Sequence, residues 1–177
     1  MQRHLRALDQ LPPRRERLRA DARRRDAAGL LSLIPDNGFV GIGIYNVKRT
    51  HNFGALIRTA RVFGADFVFS VGTRNPQEQS SIQAELSMPL FHFTTLDAFV
   101  GAIPVNARLV CVELTPGAFD IRAYKHPARA VYLLGPEDGT LPDAILRKHD
   151  TVILPGAYPL NVAMAATVVL YDRAFKA

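Results

Sequence analysis

Residues 39–71 read FVGIGIYNVKRTHNFGALIRTARVFGADFVFSV, and this stretch decides the fold class. Two continuous apolar runs of strand length, at 39–45 and 67–71, flank a segment at 52–63 whose apolar residues recur with helical spacing. Continuous apolar strands are typical of sheets covered on both faces, and a strand–helix–strand order favours parallel pairing. The stretch therefore predicts an α/β fold with a mostly parallel sheet and helices on both faces.

The same alternation continues to the C-terminus. Further strands are predicted at residues 108–114, 130–134 and 151–154. Further helices are predicted at residues 81–86, 96–100, 141–148 and 161–175. Because parallel sheets bind ligands at the carboxyl ends of their strands, we expect a functional site in the loops that follow these strands.

The composition is that of a folded protein, since 48% of the 177 residues are hydrophobic and 21% are charged. No run of about 18 apolar residues occurs, so we expect no membrane-spanning helix. The N-terminus has no apolar stretch behind its arginines, so we expect no secretory signal. The lone cysteine, Cys111, fits a reducing compartment. These features together predict a cytoplasmic protein.

The net charge of +6 is concentrated at the N-terminus, where residues 1–30 hold nine arginines and four acidic residues. We therefore expect residues 1–35 to form an Arg-rich helical arm and residues 36–177 to form the folded domain. Guanidinium groups pair with phosphates through two parallel hydrogen bonds, so Arg23 and Arg24 are candidates for nucleic-acid contact. The alternative is a solvated helix without a partner.

A second group of cations surrounds the helix predicted at 52–63. Arg58 and Arg61 are three residues apart, so they share the face opposite the apolar one, and Lys48 and Arg49 precede the helix. A helix N-terminus with nearby cations suits a phosphate group. The alternative is an ordinary amphipathic helix with solvated arginines.

Two later loops also carry candidate residues. Gly135 and Glu137 follow a strand, where a glycine permits close approach of a ligand to the backbone, although a plain turn is the alternative. Asn161 stands at the N-cap position of an Ala-rich apolar helix, which suits a core or a dimer interface.

Other familiar sites are weak or absent. Gly41 and Gly43 resemble the start of a dinucleotide-binding loop, and Asp66 has nearly the required spacing, but the third glycine is replaced by Asn46. An oxidoreductase is therefore a weaker alternative. The five histidines lack metal-ligand spacing, so we expect no metal site.

Three segments, taken in order, resemble the motifs of the SpoU (TrmH-like) RNA methyltransferases of the SPOUT class. Asn52–Ala60 reads NFGALIRTA, similar to N-x-G-x-x-x-R-x-A. Residues 134–139 read LGPEDG, similar to L-G-x-E-x-x-G, and Ile153 to Ala163 contain ILP and then LNVA, similar to I-P…S-L-N-V-S. The resemblance covers residues 39–175, and the Arg-rich arm lies outside it.

The resemblance implies a C-terminal trefoil knot, S-adenosylmethionine as cofactor and a homodimer. Its motifs assign catalytic positions to Asn52, Arg58, Glu137 and Asn161. The cofactor-binding positions that it implies are Leu114, Thr115, Pro116, Gly135, Ile153, Leu154 and Leu160. The candidates for RNA binding are Lys48, Arg49, Arg58, Arg61, Arg23 and Arg24.

The implied reaction is methyl transfer to an RNA ribose 2′-hydroxyl. We expect tRNA rather than rRNA as the substrate, because the chain is small and shows no obvious separate RNA-binding domain. We expect Arg58 to grip the neighbouring phosphate and to stabilise the developing alkoxide. We expect Glu137 to orient Asn52 or Arg58, and Asn161 to fix the cofactor loop. Pro159 and Ala163 stand where the family has serines, so a catalytically silent RNA-binding homologue is the alternative.

Overall fold

The central feature of the described part of the chain is a sheet of seven parallel strands. The computed structural model describes residues 38–76 and 88–176. The expected N-terminal arm, with Arg23 and Arg24, and the expected helix at 81–86 lie outside the described residues. The strands run in the order β3-β2-β1-β6-β4-β7-β5, and every neighbouring pair is parallel.

The bounds of these elements follow the apolar pattern of the sequence. The strands are β1 (Phe39–Tyr45), β2 (Phe67–Val71), β3 (Leu90–Phe93), β4 (Arg108–Val112), β5 (Phe119–Asp120), β6 (Arg129–Leu134) and β7 (Asp150–Ile153). The described helices are α1 (Thr50–Val62), α2 (Leu96–Val100), α3 (Asp143–Leu146) and α4 (Val162–Phe175). None of these helices combines the length and hydropathy needed to cross a membrane.

Helices cover both faces of the sheet, as predicted. On one face α1 and α4 pack over the alternate residues Val40, Ile42 and Ile44 of β1. On the other face the short helices α2 and α3 contribute Phe99 and Ile145 to a second core. The sequence-based prediction of a mostly parallel α/β fold is confirmed, and the trefoil knot stays a prediction.

The glycines of β1 are explained by aromatic packing on the second face. A Cβ atom at Gly41 would lie 2.1 Å from the Phe67 ring, and one at Gly43 would lie 2.3 Å from the Phe69 carbonyl oxygen. Phe69 in turn stacks on Phe99 with ring centroids 4.5 Å apart. Gly41 and Gly43 therefore make room for side chains inside the sheet, which removes the basis of the dinucleotide-binding alternative.

A buried polar chain ties α4 to the segment before β6. Arg173 donates to the Tyr132 hydroxyl (3.3 Å). The carboxylate of Asp172 can only accept, so His126 Nε2–H donates to Asp172 Oδ2 at 2.8 Å. Burial lowers the pKa of His126, against the opposing effect of Asp172, and so favours the neutral imidazole. A neutral ring with its proton on Nε2 accepts at Nδ1, where the Tyr132 O–H donates (2.6 Å).

Some local predictions differ from the structure. Strands β3 and β5 were not predicted, because β3 contains a histidine and β5 has two residues, too few to show a period. The helix predicted at 141–148 is shorter and spans Asp143–Leu146. The strand predicted to reach residue 114 ends at Val112, so Glu113 and Leu114 belong to the following loop.

Candidate active site

The loops after β1, β4, β6 and β7 surround a cleft of about 520 Å³. It lies at the carboxyl ends of the strands, where the alternating fold predicts a site. Four of the predicted cofactor-binding residues line this cleft, namely Leu114, Gly135, Leu154 and Leu160. The structure therefore brings together loops that are up to 113 residues apart in the chain, from Lys48 to Asn161.

The remaining predicted cofactor positions lie beside the cleft. Ile153 is the half-buried last residue of β7. Thr115 and Pro116 line a neighbouring cavity of about 320 Å³ together with Phe119 and His149. These three residues are not on the cleft wall in the described structure.

The carboxylate of Glu113, a residue that was not predicted for the site, lies beside Gly135. Glu113 accepts hydrogen bonds from the backbone N–H groups of Leu114 (2.9 Å) and Leu141 (3.0 Å). A Cβ atom at position 135 would lie 2.1 Å from Glu113 Oε2, so Gly135 leaves the space that this carboxylate occupies. The available sequence signal was an acidic residue directly after an apolar strand.

Asn52 and Asn161 form a chain of amides with a fixed direction. The backbone N–H of Ala163 donates to Asn161 Oδ1 (2.9 Å), and Asn161 Nδ2 therefore donates to Asn52 Oδ1 (3.0 Å). Asn52 is 3% exposed, and its Nδ2 has no acceptor among the described residues. A buried donor without a partner costs free energy, which makes this Nδ2 a candidate donor to a ligand.

Two ion pairs join the loop before α1 to the loop after β6. Lys48 pairs with Asp138, and the Glu137 carboxylate accepts from the Arg49 backbone N–H (3.0 Å) and lies 3.5 Å from Arg49 Nε. Within one chain Glu137 thus contacts Arg49, and its expected role of orienting Asn52 or Arg58 stays a prediction. Ion pairs between loops about 90 residues apart leave no periodic signal in the sequence.

Arg58 lies away from the cleft of its own chain. Helix geometry places it about 9 Å along the axis from Asn52 and about 120° around it. The residue is exposed, and no described residue forms an ion pair or hydrogen bond with its side chain. Arg61, one turn later, is half-buried. The predicted shared face of the two arginines is thus present, but it points outward rather than into the cleft.

Exposed apolar side chains lie on the same two helices that cover this face of the sheet. Helix α4 exposes Met164 (62%), Val168 (40%), Tyr171 (57%) and Phe175 (52%) along one side, and α1 exposes Val62 (57%). The two helices cover the same face of the sheet, so their exposed sides form one surface. We call these five residues together with Arg58 the outer face.

Cys111 takes no part in the site. Burial raises the pKa of its thiol to about 12, so the reactive thiolate does not form near neutral pH. The prediction of a core residue within an apolar strand is confirmed, since Cys111 is fully buried in β4.

Comparison with known proteins gives a consistent result. The chain is similar to a structure described as explaining the 2-OH methylation of C/U34 on tRNA, with 22% identity over 77% of this chain and 95% of that one, and a TM-score of 0.65. It is also similar to the SpoU methyltransferase AviRb from Streptomyces viridochromogenes in complex with AdoMet, with 25% identity over 82% of this chain and 61% of that one (TM-score 0.68).

A third similar structure is the A. aeolicus TrmH/SpoU tRNA modifying enzyme, with 18% identity over 80% of this chain and 77% of that one (TM-score 0.66). These likenesses show a shared fold. Among curated proteins, none is significantly similar in sequence. The model of the SpoU rRNA Methylase family matches residues 40–171. That match covers well over half of the sequence, and the chain therefore belongs to the SpoU rRNA methylase family.

Proposed function

We propose that this chain transfers the methyl group of S-adenosylmethionine to a ribose 2′-hydroxyl of RNA, with tRNA as the favoured substrate. The observation that carries the proposal is the cleft, where residues of all three motifs meet: Asn52 of the first, Gly135 and Glu137 of the second, and Asn161 of the third. Membership of the family supports the reaction class. The two similar structures described for tRNA support the substrate.

The residues of the cleft fit this cofactor. Leu114, Leu154 and Leu160 offer apolar surface to a flat ring, and Gly135 permits close approach of a ligand to the backbone. The buried Nδ2 of Asn52 offers a donor to an oxygen or nitrogen acceptor. When bound, S-adenosylmethionine supplies a methyl group on a positively charged sulfur.

The chain's own residues contribute mainly by position. The transfer needs the 2′-oxygen, the methyl carbon and the sulfur in line, so fixed side chains lower the barrier by orientation. Asn161 holds Asn52, and Asn52 binds a ligand acceptor through its free amide. Arg58 grips the phosphate beside the target ribose and stabilises the negative charge that grows on the 2′-oxygen.

The active form in this proposal is a homodimer that associates through the outer face. Exposed apolar side chains along two packed helices are typical of an interface between protein chains. Since Arg58 lies on that face and away from its own cleft, it acts at the cleft of the partner subunit. Replacing Val168 by Glu places a charge in this interface and is expected to yield monomers in sedimentation experiments; an unchanged dimer would place the interface elsewhere.

RNA contact extends beyond the cleft. The Lys48–Asp138 ion pair is largely exposed, and in the Arg49–Glu137 pair the arginine is exposed although the carboxylate is mostly buried. Both cations are therefore accessible to a phosphate group. The arginines of residues 1–35, Arg23 and Arg24 among them, add sequence-independent affinity. Deleting residues 1–35 is expected to flatten the dependence of RNA affinity on salt, measured by fluorescence anisotropy.

The proposed function is tested by incubating the protein and S-adenosylmethionine with unmodified tRNA and, separately, with unmodified rRNA. Mass spectrometry of the nucleosides is expected to show a new 2′-O-methyl nucleoside in tRNA. The same product in rRNA alone would move the substrate to rRNA, and a methylated base would change the acceptor.

A second candidate function is RNA binding without turnover. Pro159 lines the cleft at the position of a family serine, so neither a hydroxyl nor a backbone N–H is available there. This candidate predicts that RNA is retained while no methyl group is transferred in the same incubation.

A further inference from the structure

The charges on the cleft wall do not balance. Five charged side chains line the cleft: Lys48, Arg49, Glu113, Glu137 and Asp138. Lys48 pairs with Asp138, and Arg49 pairs with Glu137. No described cation pairs with Glu113, which accepts hydrogen bonds from two backbone N–H groups. Among the described residues the cleft therefore holds one negative charge without a counter-ion, that of Glu113.

The carboxylate of Glu113 is held in place before any ligand arrives. Leu114 and Leu141 each donate to a different oxygen, and the missing side chain of Gly135 leaves the space that it fills. The side chain is half-buried, so its charge is only partly screened by water. A fixed, partly buried carboxylate attracts a cation without the cost of reorganising the loop.

We propose that Glu113 is the counter-ion of the methyl donor's sulfonium and makes the cleft prefer the charged donor over the neutral-sulfur product. The inference rests on the proposed function. When the methyl group moves to the 2′-oxygen, the proton of the 2′-hydroxyl passes to solvent water. The electron pair of the broken carbon–sulfur bond stays on sulfur, which loses its positive charge. The product, S-adenosylhomocysteine, then loses its attraction to Glu113, which speeds its release.

The test is calorimetric titration of the full chain, without RNA, with S-adenosylmethionine, S-adenosylhomocysteine and sinefungin. Sinefungin carries a protonated amine in place of the sulfonium and is expected to follow the donor. In the wild-type protein the donor is expected to bind about tenfold more tightly than the product. The preference is moderate because water and salt partly screen the attraction between the sulfonium and Glu113. Glu113→Gln is expected to remove most of that preference, and Glu113→Asp to keep it.

Asp138→Asn is the matched control. It changes the net charge of the cleft by the same amount, but its carboxylate already has Lys48 as a counter-ion. It is expected to leave the donor-to-product affinity ratio within about twofold of the wild-type ratio. An equal loss of the ratio in both variants would mean that net charge, and not Glu113, sets the preference.

A measurement on the wild-type protein covers the case in which Glu113→Gln does not fold. Raising the salt concentration is expected to reduce the donor-to-product ratio, since the product lacks the charge that salt screens. A ratio independent of salt would overturn the role of Glu113, as would an equal loss of affinity for all three ligands in Glu113→Gln. Failure of the wild-type protein to bind any of the three would instead overturn the proposed function.

Discussion

The cleft and the outer face are organised in opposite ways, although α1 contributes to both. In the cleft the polar side chains hold one another: Asn161 holds Asn52, Glu137 holds Arg49, and two backbone amides hold Glu113. On the outer face Arg58 has no hydrogen-bond or ion-pair partner among the described residues. The apolar side chains of α4 stay exposed there, although the Tyr171 ring contacts Phe63 and Phe175. The difference fits the proposal that the cleft holds a small ligand and that the outer face meets a second subunit.

The largest expected effect concerns Arg58, which separates the two regions most sharply. Arg58→Ala is expected to lower kcat by about 100-fold or more, because the charge on the 2′-oxygen loses its stabilisation. Arg58→Lys keeps the charge but loses the two-pronged geometry, so most of the turnover is lost as well. Calorimetry should show unchanged affinity for S-adenosylmethionine in both variants. Near-full activity of Arg58→Lys would contradict this role.

A smaller effect is expected inside the cleft, at Gly135. Gly135→Ala pushes the Glu113 carboxylate away from the N–H groups of Leu114 and Leu141, which costs about 1–3 kcal/mol of unfolding free energy. Cofactor affinity is expected to fall as well. Chemical denaturation measures the change in unfolding free energy, and calorimetry measures the change in affinity. Gly156→Ala is the control, because its Cβ would meet its nearest neighbour at 3.4 Å and its φ is not positive. Equal behaviour of the two variants would refute the proposed constraint.

Asn161→Ala should have a more modest effect on stability. It removes the N-cap of α4 and the donor to Asn52 Oδ1, so both polar atoms of the Asn52 amide are left without a partner. The expected cost is about 1–2 kcal/mol of unfolding free energy. Cofactor affinity is expected to fall, since Asn52 is no longer held in place. Asn106→Ala, at an exposed loop position, is the control for the loss of an amide. Unchanged cofactor binding in Asn161→Ala would show that the amide chain does not shape the cleft.

The smallest expected effect concerns His126, which ties α4 to the segment before β6. The quantity measured is the free energy of unfolding as a function of pH. Since burial lowers the pKa of His126 in the folded protein, the unfolded chain binds its proton more readily. Stability is therefore full above about pH 6.5, the unfolded value, and declines as the pH falls toward the folded pKa. The decline is at most about 1.4 kcal/mol per pH unit for one proton.

His126→Gln isolates this contribution. Burial also lowers the pKa of His149, so its protonation reduces stability as the pH falls in the same way. This contribution remains in the His126→Gln variant. Denaturation at pH 5 to 8 is expected to give a shallower pH dependence in His126→Gln than in the wild-type protein. Identical slopes would mean that His126 does not change its protonation on unfolding.

Most of the fold was predictable because apolar runs and helical periods record burial directly. Both β1 and β2 have the bounds that the sequence predicts, and Asn161 caps α4 as predicted. The partners of polar side chains were not predictable in the same way. The pairing of Glu137 with Arg49 and the position of Glu113 beside Gly135 depend on how distant loops meet, and no local pattern encodes that.

Activity of mixed dimers tests the central claim most directly, namely that the cleft of one subunit works with Arg58 of the other. One subunit carries Arg58→Ala, and the other carries Gly135→Val, which blocks its cleft. Each homodimer is expected to be inactive, whereas the mixed dimer keeps one intact cleft facing one intact arginine and regains activity toward about half of the wild-type value. A mixed dimer as inactive as both parents, with association shown by sedimentation, would contradict the account.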